Sequence, residues 1–305
     1  MRHFEKWSFA TVFLEPAVAL YSIFVVYPTL QGIQISFYKW SGLSLRKTFI
    51  GFANFQRLFK ELTDPADYYN MRAYLGHNGF LFLFALITIA LGLAAAAFIN
   101  NRPRGAQALR VAYFFPNVLA LPAIAVLWSL ALNPEYGLIN NFLRLIGLEG
   151  LALPWLSLQY DAPLQRLGMW SVGMISMWAG LGFNMLFFLA AIQNVPSDYI
   201  EAAWIDGASK VQSFFLVTMP MIWETIRTLL ILALIGSLSS FGLTYILFEG
   251  QANKNSDVIM NYYYWQAFGN NNWGYASAIV VAILVVTLGA SIVAYRTSER
   301  ETIQF

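Results

Sequence analysis

Six stretches of this chain carry no Asp, Glu, Lys, Arg or His and run for at least 20 residues: 16–38, 79–99, 111–132, 167–195, 228–248 and 258–295. A helix that crosses the hydrocarbon core of a bilayer needs about 20 consecutive apolar residues. Each stretch is therefore long enough to span once, and the last is longer than one span needs, with 274–295 its most apolar part. The rest of the chain agrees. It is 58% hydrophobic and 11% charged over 305 residues, against about 45–50% and about 25% in soluble domains. The expected fold class is an all-α membrane protein of six transmembrane helices. The first stretch is too long for the apolar region of a signal peptide and no A-x-A site follows it, so it reads as an uncleaved helix.

A net charge of +2 does not point to nucleic acid or another strongly charged partner. With no cysteine, disulfides, iron–sulfur clusters and thiol catalysis are excluded. Only His3 and His77 are present, so a histidine-based metal site is not expected. The 18 basic residues divide nine and nine between the two sides. Six of the outer nine fall in the long first loop, and without it the balance is nine to three. Short loops weigh most in the positive-inside rule, so both termini are expected inside.

Between the spans, the chain reads as one transmembrane domain over 1–305. It has an extracytoplasmic loop at 39–78, an extracytoplasmic interfacial segment at 133–166 and a cytoplasmic loop at 196–222. The first loop holds the amphipathic stretch GFANFQRLFKEL. Leu138, Ile139, Phe142, Leu143 and Ile146 fall at helical spacing, the pattern of a helix lying in the membrane interface. Trp155, Trp273 and the run 262–265 suit an aromatic belt. Gly92 and Ala94 to Ala97 give the second span a smooth face that favours close helix packing. Pro116 and Pro122 are expected to kink the third.

The loop at 196–222 is the most organised polar stretch. Asp198 is placed to cap a short helix, with Glu201 three residues on in the capping-box arrangement. Gly207 stands where a left-handed residue ends such a helix. Ser209, with Gln212 three residues later, caps a second helix, and Pro220 ends that helix or begins the next span. Two helices this short are not stable alone. They must pack on the bundle, on a partner or on both. Val211, Phe214, Phe215 and Val217 supply apolar grip. On physical grounds alone, an ordinary well-capped loop explains the same residues.

The residues themselves narrow this. EAAxxDGA…F…P, carried by Glu201, Ala202, Ala203, Asp206, Gly207, Ala208, Phe214 and Pro220, resembles the EAA loop of importer permeases in the ATP-binding-cassette superfamily. It is most similar to the carbohydrate branch, which includes maltose and glycerol-3-phosphate permeases. Support runs over roughly 10–295. Tyr27-Pro28 closes the first span's core as in that family, and Gly51, Asn54 and Phe55 match its G-x-x-N-[FY] element. Asn78 stands at the family's Asn position before the second span. Phe115-Pro116, Trp128, 133–137 (NPEYG), 155–157 (WLS) and 274–276 (GYA) follow the family's order. The chain departs where the family has a Gly-Gly-Pro turn, reading EGQAN at 249–253, and in having Glu15 at an apolar position.

The resemblance implies a type I permease bundle and a non-enzymatic subunit of an ATP-driven importer, in the inner membrane of a bacterium or archaeon. No G-x-x-x-x-G-K-[ST] phosphate cradle is present, so ATP and magnesium would sit on a partner. The implied partners are an ATPase dimer, a second homologous permease and an extracytoplasmic substrate-binding protein. Glu201 would orient the loop, Ala202 and Ala203 would meet the ATPase, and Gly207 would make the turn.

For the substrate path, Ser237, Ser240 and Thr244 are spaced as a polar stripe on one face of the fifth span, beside Phe241. Gly180, Phe183, Asn184 and Phe187 are spaced similarly on the fourth. Hydroxyl, amide and aromatic groups suit a sugar or polyol, and the family's carbohydrate site lies on these two helices. The same residues also serve as interhelical hydrogen-bond glue. No ionisable residue lies in a helix core, which disfavours a secondary carrier. No nucleophile–base pair suggests a membrane enzyme. An importer for an amino acid or a metal is the alternative within the same superfamily.

Overall fold

Helix dominates the computed structural model, which describes residues 13–64, 71–156, 167–248, 250 and 257–297. In chain order the helices are α1 (Phe13–Ile35), α2 (Ala53–Thr63), α3 (Met71–Asn100), α4 (Ala106–Val118), α5 (Leu121–Ala131) and α6 (Leu138–Leu145). They continue with α7 (Leu167–Gln193), α8 (Ser197–Ile205), α9 (Lys210–Met221), α10 (Trp223–Leu238), α11 (Gly242–Leu247), α12 (Ile259–Tyr264) and α13 (Trp273–Thr297). One small hairpin, β1 (Tyr38–Lys39) with β2 (Thr48–Phe49), pairs antiparallel with Tyr38 opposite Phe49.

Among the described residues, α1, α3, α7 and α13 are each long and apolar enough to span. The number rises to six if α4 with α5, and α9 with α10, each count as one bent span. The third apolar stretch is therefore not a kinked helix, as its prolines led us to expect. It divides into α4 and α5, inclined at 99°. Leu119 and Ala120 are both extended, with ψ of 137° and 141°. Pro122 follows in the first turn of α5, where a missing N–H costs nothing.

The fifth stretch is also broken. α10 ends at Leu238, Phe241 takes φ −147° and ψ −65°, and α11 begins at Gly242. Ser237 and Thr244 thus sit on different helices and Ser240 in the break between them, which corrects the expected stripe. The long sixth stretch divides as its composition indicated, into α12 and α13.

The chain forms two compact units, one of Met1–Pro65 with Tyr263–Val285 and one of Ala66–Tyr262 with Val286–Phe305. In the first, Asn54 of α2 donates to the carbonyls of Ser36 and Tyr38 at 2.8 and 3.1 Å, closing the end of α1. Arg57 pairs with Glu61 at 2.7 Å and lies over the Tyr275 ring, while the Tyr275 hydroxyl donates to Glu61. A buried carboxylate is thereby satisfied twice, as burial of a charge demands. None of the most apolar window of α1 is buried.

The second unit holds two apolar cores. One joins Leu81, Ile124, Met169, Val172, Leu243 and Phe248. The other joins Ile89, Ile99, Met185, Phe188, Ile222 and Leu229. Close approach depends on small residues, as expected of Gly92: a Cβ there would meet the Cβ of Asn184 at 2.7 Å. Gly182 is tighter still, since a Cβ would strike the Tyr113 carbonyl.

α6 forms as its spacing indicated, with Leu138, Phe142 and Leu145 exposed. Its buried face is polar. Asn140 donates to the Leu153 carbonyl at 3.0 Å and accepts from Trp155 Nε1 at 2.7 Å. The stretch 249–253, where the chain departs from the family's Gly-Gly-Pro turn, lies outside the described residues except for Gly250, as does the segment 157–166.

Candidate functional site

The loop from α8 to α9 builds its turn from its own backbone. Gly207 adopts φ +87°, a left-handed conformation that costs glycine nothing. The Gly207 N–H donates to Trp204 O at 3.0 Å and the Ala208 N–H reaches Ala203 O at 2.9 Å. These two bonds are the Schellman ending of a helix. On the far side, Gln212 N–H donates to Ser209 Oγ at 3.3 Å and Ser209 N–H donates to Gln212 Oε1 at 2.8 Å, a complete capping box.

The start of α8 differs from expectation. Its N-cap is Pro196, in an extended conformation, and no side chain caps it. Asp198 lies inside the first turn, so its carboxylate interacts with the helix dipole and forms no capping box with Glu201. Pro196 displaced it because its fixed φ of −60° with ψ 136° already turns the chain into the helix at that point.

Pro220 lies within α9, which runs one residue further. A π-turn at Phe214–Thr218 precedes it, with Met219 N–H bonded to Phe214 O. Widening the helix just before proline accommodates a ring that cannot donate and would crowd the preceding turn. α9 and α10 are then inclined at 68°.

This loop leaves apolar side chains exposed. Ile205 is 85% exposed, Val211 66%, Phe215 58% and Leu216 72%. Glu201, Ala202, Asp206 and Gly207 are exposed, with Ala203, Ala208 and Phe214 partly buried and Pro220 exposed. A cavity of about 500 Å³ opens between the loop, at Trp204, Val211 and Phe215, and the end of α3 at Ala97, Phe98 and Asn101.

A second cavity, of about 200 Å³, lies among α3, α7 and α10. Gly180, Phe183 and Asn184 line it, as their spacing on one face requires, together with Ser176, Thr88 and Leu232. Its lining holds no charged side chain. Phe187 stacks on Phe183 with ring centroids 4.4 Å apart and is exposed. The residues expected from the fifth span do not line it. Ser237 and Thr244 are buried, with hydroxyls donated to Leu234 O at 2.9 Å and Phe241 O at 2.7 Å. Ser240 and Phe241 stand in the break, both half-buried, and Phe241 packs on Tyr245 at 5.1 Å.

Residues 88–300 match the family of binding-protein-dependent transport system inner membrane components. This chain belongs to that family. The match runs from α3 to beyond α13 and includes the whole α8–α9 loop. The chain is 33% identical over 287 residues to the probable ABC transporter permease protein YurN of Bacillus subtilis, covering 92% of each. It is 30% identical over 294 residues to the diacetylchitobiose uptake system permease protein NgcF of Streptomyces coelicolor, covering 93% of this chain and 80% of that one. A chain of a bacterial ABC transporter involved in the import of the acidic polysaccharide alginate shares the fold, with a TM-score of 0.81 over 99% of this chain and 98% of that chain at 24% identity.

For an inner membrane component of this family, the two features that sequence reasoning missed are both polar. Thr88 and Ser176 complete the cavity, one helical turn from positions that were singled out. Asn78, Asp257 and Asn261 form a buried network around the break. The available signal was an isolated asparagine against a run of apolar residues, at a position that the family resemblance marked without a role.

Proposed function

We propose that this chain is the permease subunit of an ATP-driven importer for a neutral sugar, oligosaccharide or related polyol. The observation that carries the reading is the α8–α9 loop. It is a self-closed turn that carries the EAA motif and leaves apolar side chains exposed on either side of it. Burial of such surface is worth about 25 cal/mol per Å², so its exposure on an isolated chain favours a partner. In this reading Glu201, Ala202, Ala203, Asp206, Gly207, Ala208, Phe214 and Pro220 form the element that docks on a separate ATPase subunit. That subunit holds ATP and magnesium, and this chain hydrolyses nothing and binds no cofactor. A second homologous permease and an extracytoplasmic binding protein complete the complex.

Six spans with both termini inside place the loop in the cytoplasm of a bacterial or archaeal cell, with α4–α5 and α9–α10 each counted as one bent span. Non-helical backbone at membrane depth is tolerated where it lines a cavity or is buried in protein. The break in the fifth span and the cavity on α7 accordingly form the path, with Gly180, Phe183, Asn184, Phe187, Ser240 and Phe241 along it. Ser237 and Thr244 support it from behind. An uncharged lining of amide, hydroxyl and aromatic groups suits a neutral sugar, and the named substrate of the NgcF relative is an oligosaccharide of that kind. Transport follows by alternating access, driven by the different affinity of each state for nucleotide and loaded binding protein.

Purification of this chain from its native membrane in mild detergent tests the reading. An ATP-binding-cassette ATPase and a second EAA-loop permease are expected to co-purify. The complex should then show ATPase activity stimulated by a sugar-loaded binding protein. A chain that purifies alone, or an ATPase that responds only to an amino-acid- or metal-loaded protein, overturns it.

A further inference from the structure

We propose that Asn78 is the positioning residue of the transport path: its one side chain holds the break in the fifth span in place. This rests on the reading of that break as part of the path. A helix that stops inside a membrane leaves carbonyls without donors at its end, and the next helix leaves N–H groups without acceptors at its start. No water is at hand to satisfy them. Asn78 is fully buried. Its Nδ2 donates to Ser237 O at 2.6 Å, in the last turn of α10, and its Oδ1 accepts the Ile259 N–H at 3.0 Å, at the first residue of α12. These partners lie 159 and 181 residues away in sequence. An amide is the smallest side chain that presents a donor and an acceptor on one rigid plane, so it caps both helices at once.

The neighbouring groups reinforce the clamp. His77 Nδ1 lies 2.7 Å from the Asp257 carbonyl. Asn261 Nδ2 donates to Asp257 Oδ1 at 3.0 Å, and the Thr244 hydroxyl reaches Asn261 Oδ1 at 3.2 Å. Thus α3 holds the α10 side of the break directly, through Asn78, and ties it to α12, while the α11 side is reached through Asp257, Asn261 and Thr244. Ser239 and Ser240 within the break keep their hydroxyls free of any described partner. Asn78 touches no substrate. It fixes where those hydroxyls and Phe241 stand.

The absence of cysteine from the chain makes this directly measurable. Ser239, exposed at the break, and Ser176, exposed on the cavity wall of α7, are each replaced by Cys in the assembled transporter. The rate of modification by a water-soluble maleimide is then followed with Asn78 or with Asn78→Asp, which keeps the acceptor and loses the amide donor. Loss of one buried hydrogen bond is expected to raise the rate at position 239 about tenfold, with the rate at position 176 unchanged. An unchanged rate at 239 overturns the proposal. Equal rises at both positions also overturn it, because they show a general loosening. Should Asn78→Asp fail to assemble, Ile259→Pro removes the N–H from the other side at a helix position that tolerates proline, and the same pattern is expected. No sugar enters this measurement. A wrong assignment of substrate leaves its outcome intact, and a failed clamp leaves the uptake test of the proposed function intact.

Discussion

The turn between α8 and α9 and the break between α10 and α11 both interrupt helix, and they are closed by opposite means. The turn is closed from within, since every bond that caps it joins residues no more than five apart between Ala203 and Gln212. The break is closed from outside, by Asn78 from 159 residues away and by Asn261 from 17. The turn is exposed, whereas the residues that flank the break and take these bonds, Ser237 and Thr244, are buried. Water can satisfy any group a solvent-exposed turn leaves over, so local chemistry suffices there. Membrane and core supply no such reserve, so a break must recruit side chains from elsewhere in the fold.

Substitutions at the two places should therefore behave differently. The largest effect is expected for Asn78→Leu, which leaves the buried Ile259 N–H without its acceptor at about 1–3 kcal/mol and reduces the Ser237 carbonyl to its longer bond from the Ser240 N–H at 3.3 Å. Thermal unfolding of the purified complex should shift well below that of the parent; an unchanged melting temperature would mean that the break closes without Asn78. Gly207→Val comes next. A β-branched residue resists positive φ, and a left-handed conformation costs about 1–2 kcal/mol even for an ordinary residue. That strain distorts the turn while the membrane core stays whole. Uptake in membrane vesicles should collapse at parental expression, and normal uptake would remove the turn from the mechanism.

Ser209→Ala should cost about 1 kcal/mol, the usual value of an N-cap. The loss should appear as faster hydrogen exchange confined to α9. Asp198→Ala is the smallest. A charge near a helix N-terminus is worth only about 0.3–1 kcal/mol, so exchange in α8 should barely change. If Asp198→Ala matched Ser209→Ala, the carboxylate would cap α8 after all.

The two sites also differ in how readable they were. Gly207, Ser209 and Gln212 announce their roles because capping depends on residues three to five apart, and the chain carries that spacing in plain order. α2 and α6 were readable from helical spacing, and the division of the last apolar stretch from its excess length. Asp198 was misread since spacing shows which residues can cap, and not that Pro196 had already set the backbone's entry into α8. The apolar stretches disclosed which segments are helical but not where they bend. An apolar run looks the same whether it is one straight helix or two inclined at 99°, as α4 and α5 are.

What the sequence by itself determined is the membrane class, the helical segments, the capped turn at Gly207 and Ser209 and the small-residue face at Gly92, all of which follow from periodicity, composition and short-range chemistry; that the turn is an EAA loop came from its resemblance to a known family. Only the tertiary structure decided that Ser237, Ser240 and Thr244 do not share a face, that Thr88 and Ser176 complete a cavity with Asn184, and that Asn78 caps two helices at once. The physical reason is that a buried polar group is satisfied by whatever lies beside it in space, and nothing in the order of residues places Asn78 beside Ser237 and Ile259 until the helices have packed.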